Sequence, residues 1–145
     1  MSEEEEVVNT IVKLVRRLGF GEGYGVVFAH LLISEEPLTV RELAKRTGYS
    51  ASAVAMYLSV LHRSYLVERQ KRGNTFVYTA RIDYLDRWRD WVKNLLEKDI
   101  KPLVESLEKL AKNTDNEKKR EHLWKVLTEF KKTQQFLERV LNMEI

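Results

Sequence analysis

The stretch that decides the fold covers residues 38–52 and reads LTVRELAKRTGYSAS. Thr39 is a favourable helix N-cap, and Glu42 three residues later completes a capping box, so a helix is predicted to begin just after Thr39. Gly48 can take the left-handed conformation that ends a helix, which makes this first helix short. Ser50 is a second N-cap only two residues later. The stretch therefore predicts two capped helices joined by a tight turn.

The pattern continues with a β-hairpin. The first helix is predicted over residues 40–47 and the second over residues 51–64. Residues 66–71 and 75–80 are strand-like, and Gly73-Asn74 between them is typical of a two-residue hairpin turn. The two capped helices alone would fit an ordinary helical hairpin almost as well. With the β-hairpin behind them, they predict a winged helix-turn-helix.

Amphipathic helices flank this motif on both sides. Apolar residues at helical spacing predict a helix over residues 4–18 and a short buried helix over residues 24–33. A long helix is predicted over residues 84–112, with a kink or a break at Pro102, and a last helix over residues 117–143. The predicted fold class is mainly α with a small β-hairpin wing and long C-terminal helical arms.

We expect three segments along the chain. An N-terminal helix and linker over residues 1–23 serves dimerisation or packing, the winged domain covers residues 24–81, and a C-terminal helical region over residues 82–145 forms a dimer. The last helix carries apolar residues on a 4-3-4-3 spacing, which suits a seam inside one chain or between two chains. Long amphipathic arms on a small domain favour the second. The residues predicted to form the homodimer are Val8, Ile11, Val15, Leu123, Leu127, Phe130, Leu137 and Leu141.

Charge is distributed unevenly, although the net charge is only +3. Residues 1–40 hold seven Glu and three Lys or Arg, whereas residues 41–81 hold eight Lys or Arg and two Glu. The rest of the chain is nearly neutral. A positive centre between acidic and neutral flanks is typical of a segment that faces DNA, although a solvated basic face is the alternative.

The second helix of the motif would present its first turns to the bases in the major groove. Its residues there are small or apolar, and none is the Arg, Lys, Asn or Gln that makes a bidentate contact with a base. We therefore expect affinity to come mainly from phosphate contacts, with a strong salt dependence and modest base recognition. The residues expected to contact duplex DNA are Arg41, Ser50, Ala51, Ser52, Ala53, Met56, Tyr57, Ser59, Arg63, Arg69, Lys71, Arg72 and Asn74.

Motifs for other functions are not found in the sequence. There is no cysteine, and the three His are far apart without ligand spacing, so no metal site is expected. No phosphate-binding loop, nucleophile motif or pair of carboxylates stands out, so we expect neither enzyme activity nor a cofactor. No apolar run approaches a membrane span, and four Glu follow Met1-Ser2 where a signal peptide would be positive. A cytoplasmic location is expected.

Aromatic residues of the C-terminal region could line a pocket for a small effector. Such a cage would suit a quaternary ammonium group. Aromatic residues at helical spacing are more often part of a core, so both interpretations stay open. The residues of this candidate effector pocket are Tyr84, Trp88, Trp91 and Trp124.

The stretch from Pro37 to Ala44, with Gly48-Tyr49-Ser50 and the wing at Gly73, resembles the MarR superfamily, in particular the GbsR-like branch and its archaeal relatives. The resemblance implies a homodimeric transcriptional regulator, frequently a repressor, with one winged domain on each half of a palindromic operator. GbsR-like members can respond to small effectors such as choline. The family usually has Gly where this chain has Tyr65, so we expect a positive φ at Tyr65 or a different helix end.

Two alternatives to a regulator stay open from the sequence. A winged helix can bind protein as an assembly module, and an exposed apolar patch on the domain would favour that role. The alanine-rich second helix also fits an architectural protein that binds DNA without regard to sequence.

Overall fold

A computed structural model describes residues 2–143 and divides the chain into two compact units, one ending at Ile82 and the other beginning at Asp83. The predicted fold class is confirmed, since the elements are helices with one two-stranded sheet. No helix within residues 2–143 is long and apolar enough to cross a membrane. The elements are α1 (Glu3–Arg17), α2 (Glu22–Leu32), α3 (Val40–Thr47), α4 (Ala51–Arg63), β1 (Val67–Arg72), β2 (Thr75–Ala80), α5 (Tyr84–Asn94), the π-helical segment π1 (Leu95–Ile100), α6 (Lys101–Lys112) and α7 (Glu117–Asn142).

The first unit is built on the close packing of α1 against α2. Gly25 of α2 permits this packing, because a Cβ at that position would lie 2.9 Å from the backbone Cα of Val12. The core continues through Val27, Leu43 and Leu58, all of which are fully buried. Helix α2 thus packs against both helices of the motif, α3 and α4.

The helix-turn-helix forms as its caps predict. The side chain of Thr39 accepts a hydrogen bond from the Glu42 N–H (3.1 Å), and Glu42 Oε1 accepts one from the Thr39 N–H (3.2 Å). Gly48 ends α3 with a φ of 81°. Ser50 then caps α4, because its Oγ accepts a hydrogen bond from the Ala53 N–H (3.1 Å). Local side-chain interactions therefore fix both helices and the turn.

Helix α4 ends at a residue with a positive φ. Tyr65 has a φ of 62°, which is one of the two outcomes expected from the missing glycine. The Leu66 N–H donates to the Leu61 carbonyl (2.9 Å), and the Tyr65 N–H donates to the His62 carbonyl (3.1 Å). This pair of bonds is a Schellman motif, and it directs the chain from the helix into the wing.

The wing is an antiparallel hairpin in which Val67 pairs with Ala80 and Arg72 with Thr75. Gly73, the first of the two turn residues, has a φ of 64°, as a type II′ turn requires. Leu38 adds a pairing that the sequence pattern did not predict. Its N–H donates to the Tyr78 carbonyl (3.0 Å) and its carbonyl accepts from the Tyr78 N–H (2.8 Å), which ties the wing to the segment before α3.

The second unit is a helical hairpin in which α5, π1 and α6 pack along α7. The interruption predicted at Pro102 takes the form of π1, which directly precedes α6. Pro102 has no N–H and its ring crowds the carbonyl of Lys98, so a wider turn relieves the clash. The Lys101 N–H accordingly donates to the Leu96 carbonyl, five residues back. The core contains Leu96, Ile100, Val104, Leu127 and Leu137.

Candidate nucleic-acid interface

The first turn of α4 offers free backbone N–H groups and contains no carboxylate. The Ser50 Oγ already accepts from the Ala53 N–H, so Ala53 has no backbone donor to offer a phosphate. The N–H groups of Ala51 and Ser52 have no acceptor within residues 2–143. The first turn of α4 contains no acidic residue. Free N–H groups at the positive end of a helix suit a phosphate oxygen.

The exposed side of α4 is a line of four side chains opposite its buried stripe. Val54, Leu58 and Leu61 are buried against the rest of the unit. The line consists of Ser52, Met56, Ser59 and Arg63, which are all exposed and follow each other at helical spacing. Ala51 and Ala55 lie beside the line and are also exposed, whereas Ala53 is half-buried. The surface is therefore small and apolar, with one cation at its C-terminal end.

Tyr57 was predicted to contact DNA, but it lies in an aromatic cluster at the edge of α4. Its ring centroid is 4.7 Å from that of Tyr24 and 5.6 Å from that of Tyr49, both in edge-to-face geometry. Gly23 leaves room for the phenol, because a Cβ there would overlap it. Burial raises the pKa of Tyr49, and the charge of Glu22 raises it further. The half-buried Tyr57 therefore joins α2, the turn and α4 rather than extending freely towards a ligand.

The predicted cations are exposed and available. Within residues 2–143, no carboxylate forms an ion pair with any of the basic residues expected to contact DNA. The guanidinium of Arg69 lies 4.3 Å from the ring centroid of Phe76 on the neighbouring strand. The exposed basic side chains are Arg41 on α3, Arg63 on α4, and Arg69, Lys71 and Arg72 on β1, with Asn74 exposed at the turn.

The single carboxylate in this part of the chain is neutralised at the base of the wing. Glu68 is the only acidic residue between Leu43 and Ile82. Its Oε1 lies 3.0 Å from a guanidinium nitrogen of Arg81, whose side chain is largely buried. The positive charge of the outer wing is thus not cancelled by Glu68.

Most of the residues predicted to form the dimer lie instead inside their own chain. Ile11 and Val15 are buried in the first unit, and Val8 is half-buried. The 4-3-4-3 seam of α7 packs against π1 and α6 of the same chain. Ile11, Val15, Leu123, Leu127 and Leu137 are thus buried within one chain, and their role in a dimer stays a prediction. Phe130 and Leu141 are half-buried at the edge of the same core.

The residues of the candidate effector pocket all lie in the second unit. Trp88 and Trp91 are exposed on α5, and Trp124 is exposed on α7. None of the three tryptophans makes a ring contact with another aromatic residue within residues 2–143. Tyr84 is half-buried, and burial together with the charge of Asp83 raises its pKa to about 12. Neither unit contains, among the described residues, a group of three His, Asp or Glu that could hold a metal ion.

Comparison with known proteins supports the winged fold. Residues 31–69 match the family model of the bacterial regulatory protein, arsR family. A solved structure described as a transcriptional regulator aligns over 97% of this chain and 96% of its own, with 14% sequence identity and a TM-score of 0.67. Reduced HlyU from Vibrio cholerae N16961 aligns over 64% of this chain and 93% of its own, with 24% identity and a TM-score of 0.40. A search of curated proteins found no match.

These findings define a class of protein. The family match covers the end of α2, both helices of the motif and the first part of β1. The structural match extends the same fold through the C-terminal helices. The chain is therefore a protein with a winged helix-turn-helix fold. The narrower resemblance to the MarR superfamily and its GbsR-like branch stays a prediction.

Proposed function

We propose that this protein is a transcriptional regulator that binds duplex DNA as a homodimer, with α4 in the major groove and the wing on the backbone beside it. The observation that carries this proposal is the combination of unpaired cations around α4 and an acid-free start of that helix. The match of residues 31–69 to a regulatory-protein family agrees with it. The repressor role and a choline-like effector rest on the GbsR-like resemblance alone.

Phosphate contacts dominate the expected affinity. Arg41, Arg63, Lys71 and Arg72 are exposed without ion-pair partners among the described residues. Each phosphate that a cation neutralises releases condensed counterions, which lowers log K by about 0.9 for each unit of log salt concentration. The exposed line of α4 contributes little charge before Arg63. Binding is thus expected to weaken steeply with salt.

A salt titration of a wing variant tests this proposal. Replacing Lys71 and Arg72 by Gln removes two cations from each wing, so the slope of log K against log salt should fall by about 1.8 per winged domain. A double Gln substitution at Lys118 and Lys119 is the matched control, since these two adjacent lysines are exposed on α7. DNA affinity that is nearly flat in salt, or an equal change in both variants, would refute phosphate binding by the wing.

A dimer would use the apolar surface that the chain itself leaves exposed. On α5, Trp88 is 53% exposed and Trp91 is 65% exposed, and no residue of this helix is buried. We assign the dimer contact to this surface rather than to the buried seam. Sedimentation equilibrium of a Trp88→Glu/Trp91→Glu variant should show a monomer, whereas Lys109→Glu at an exposed position of α6 should leave the dimer intact. A dimer that persists in the tryptophan variant would exclude this surface.

The neutral surface of α4 favours a second candidate function, DNA binding without sequence preference. Ser52, Met56 and Ser59 include none of the side chains that form bidentate contacts with bases. Selection of bound duplexes from a random pool separates the two functions. A regulator enriches a palindromic motif, and an architectural protein enriches none.

A further inference from the structure

Met56 occupies the centre of the surface that α4 would insert into the groove. It lies four residues after Ser52 and three before Ser59, so the three side chains share one face of the helix. Met56 is 52% exposed, and its side chain is longer than those of the two serines beside it. It is the only large apolar side chain on this line.

Apart from Ser52, Ser59 and Arg63 on the same line, the side chains that could recognise a base from α4 are already committed or absent. Tyr57 is packed between Tyr24 and Tyr49. The Ser50 Oγ caps the helix by accepting from the Ala53 N–H. Positions 51–61 contain no Arg or Lys for guanine and no Asn or Gln for adenine. What α4 presents to the groove is therefore a thioether flanked by hydroxyl and methyl groups.

We propose that Met56 is a specificity-determining residue that recognises the C5-methyl group of thymine, so that the DNA site carries a thymine opposite the middle of α4. This inference rests on the proposed DNA binding. The thymine methyl is the one apolar group on the major-groove edges of the four base pairs. The Met side chain is flexible and polarisable, so it can pack on a methyl group without a fixed geometry. Ser52 and Ser59 tolerate either donors or acceptors beside it.

Replacing thymine by uracil tests the inference, because uracil lacks only the methyl group. Duplexes selected from a random pool are resynthesised with each thymine replaced by uracil, one at a time. Burying one methyl group is worth about fourfold in affinity, so uracil at the contacted position should weaken binding by about fourfold. In Met56→Ala, thymine and uracil at that position should bind equally. Leu14→Ala, which truncates a side chain 48% exposed on α1, should keep the discrimination.

The outcomes separate this inference from the proposed function. Equal binding of thymine and uracil at every position of the site would overturn the inference and leave DNA binding in place. The same result follows if the uracil effect persists in Met56→Ala, or if selection enriches no thymine. If the wild-type protein retains no duplex at low salt, the proposed function fails and the inference fails with it.

Discussion

Replacing Gly23 by Ala should destabilise the first unit through a residue 34 positions away in the sequence. A Cβ at position 23 would overlap the phenol of Tyr57, so the ring must move out of its site. Tyr57 would then lose its edge-to-face contacts with Tyr24, at 4.7 Å, and with Tyr49, at 5.6 Å. Each such contact is worth about 0.5–1.5 kcal/mol, so the free energy of unfolding should fall by about 1–3 kcal/mol.

The destabilising effect of Gly23→Ala should disappear when Tyr57 is absent. In a Tyr57→Ala background the space beside Gly23 is vacant, and only the backbone preference of the new residue remains. Position 23 lies in the first turn of α2, where Ala is favoured over Gly by at most about 1 kcal/mol. Gly23→Ala should therefore be neutral or stabilising in that background. The coupling free energy between the two positions should be about 1–4 kcal/mol.

The assay must report on the first unit. All three tryptophans lie beyond residue 82, so tryptophan fluorescence would follow the other unit. Hydrogen exchange of the α2 and α4 amides in the four proteins of the cycle measures the relevant stability. Gly21→Ala is the control, since a Cβ there meets no atom closer than 3.7 Å. An equal effect of Gly23→Ala in both backgrounds would show that the aromatic cluster does not couple α2 to α4.

Three further outcomes follow from single residues. Ser50→Ala should lower the stability of α4, measured by hydrogen exchange, by about 0.5–2 kcal/mol because the N-cap is lost. Ser50→Asp should keep the cap but weaken DNA binding, because its negative charge repels a phosphate. Unchanged DNA affinity of Ser50→Asp would show that the phosphate binds elsewhere. Tyr65→Gly should raise the free energy of unfolding by about 1 kcal/mol by relieving the positive φ, and a loss of stability in urea would contradict this account. Burial and then Arg46 lower the pKa of His30, against the opposing charge of Glu4. Folding therefore disfavours the protonation of His30, so the free energy of unfolding should fall as the pH drops below about 6.5. The urea midpoint measured against pH should show this fall, and His30→Gln should flatten the profile below that pH.

The local parts of the fold could be predicted from the sequence because their interactions span only a few residues. The capping box of Thr39 and Glu42, the glycine that ends α3 and the cap at Ser50 all act within one helical turn. The bounds of α3 are those predicted, and the positive φ at Tyr65 was one of two stated outcomes. Patterns of this range are local, so they can be recognised in the sequence without knowledge of tertiary contacts.

The parts that the sequence did not predict depend on contacts between distant residues. Leu38 pairs with Tyr78, forty residues later, and no local pattern marks an isolated bridge. The position of Tyr57 on α4 predicts an exposed side chain, because it lies away from the buried stripe. In the structure, however, its ring packs beside Gly23 and Tyr24. The exposure of the basic side chains around α4 could be predicted, because charged side chains are rarely buried. The packing of Tyr57 in the aromatic cluster could not be predicted.

The seam of α7 shows why periodicity alone does not choose a partner. The 4-3-4-3 spacing requires that Leu127 and Leu137 be buried, but an intramolecular helix and a second chain satisfy that requirement equally. Here the short connection between α6 and α7 holds the two helices of one chain beside each other, and Leu127 and Leu137 are buried in the core of that unit. Helix α5 also packs along α7, but no residue of α5 is buried and its tryptophans remain exposed. The proposed homodimer would therefore draw apolar contact area from exposed surfaces such as α5, which the heptad pattern did not mark.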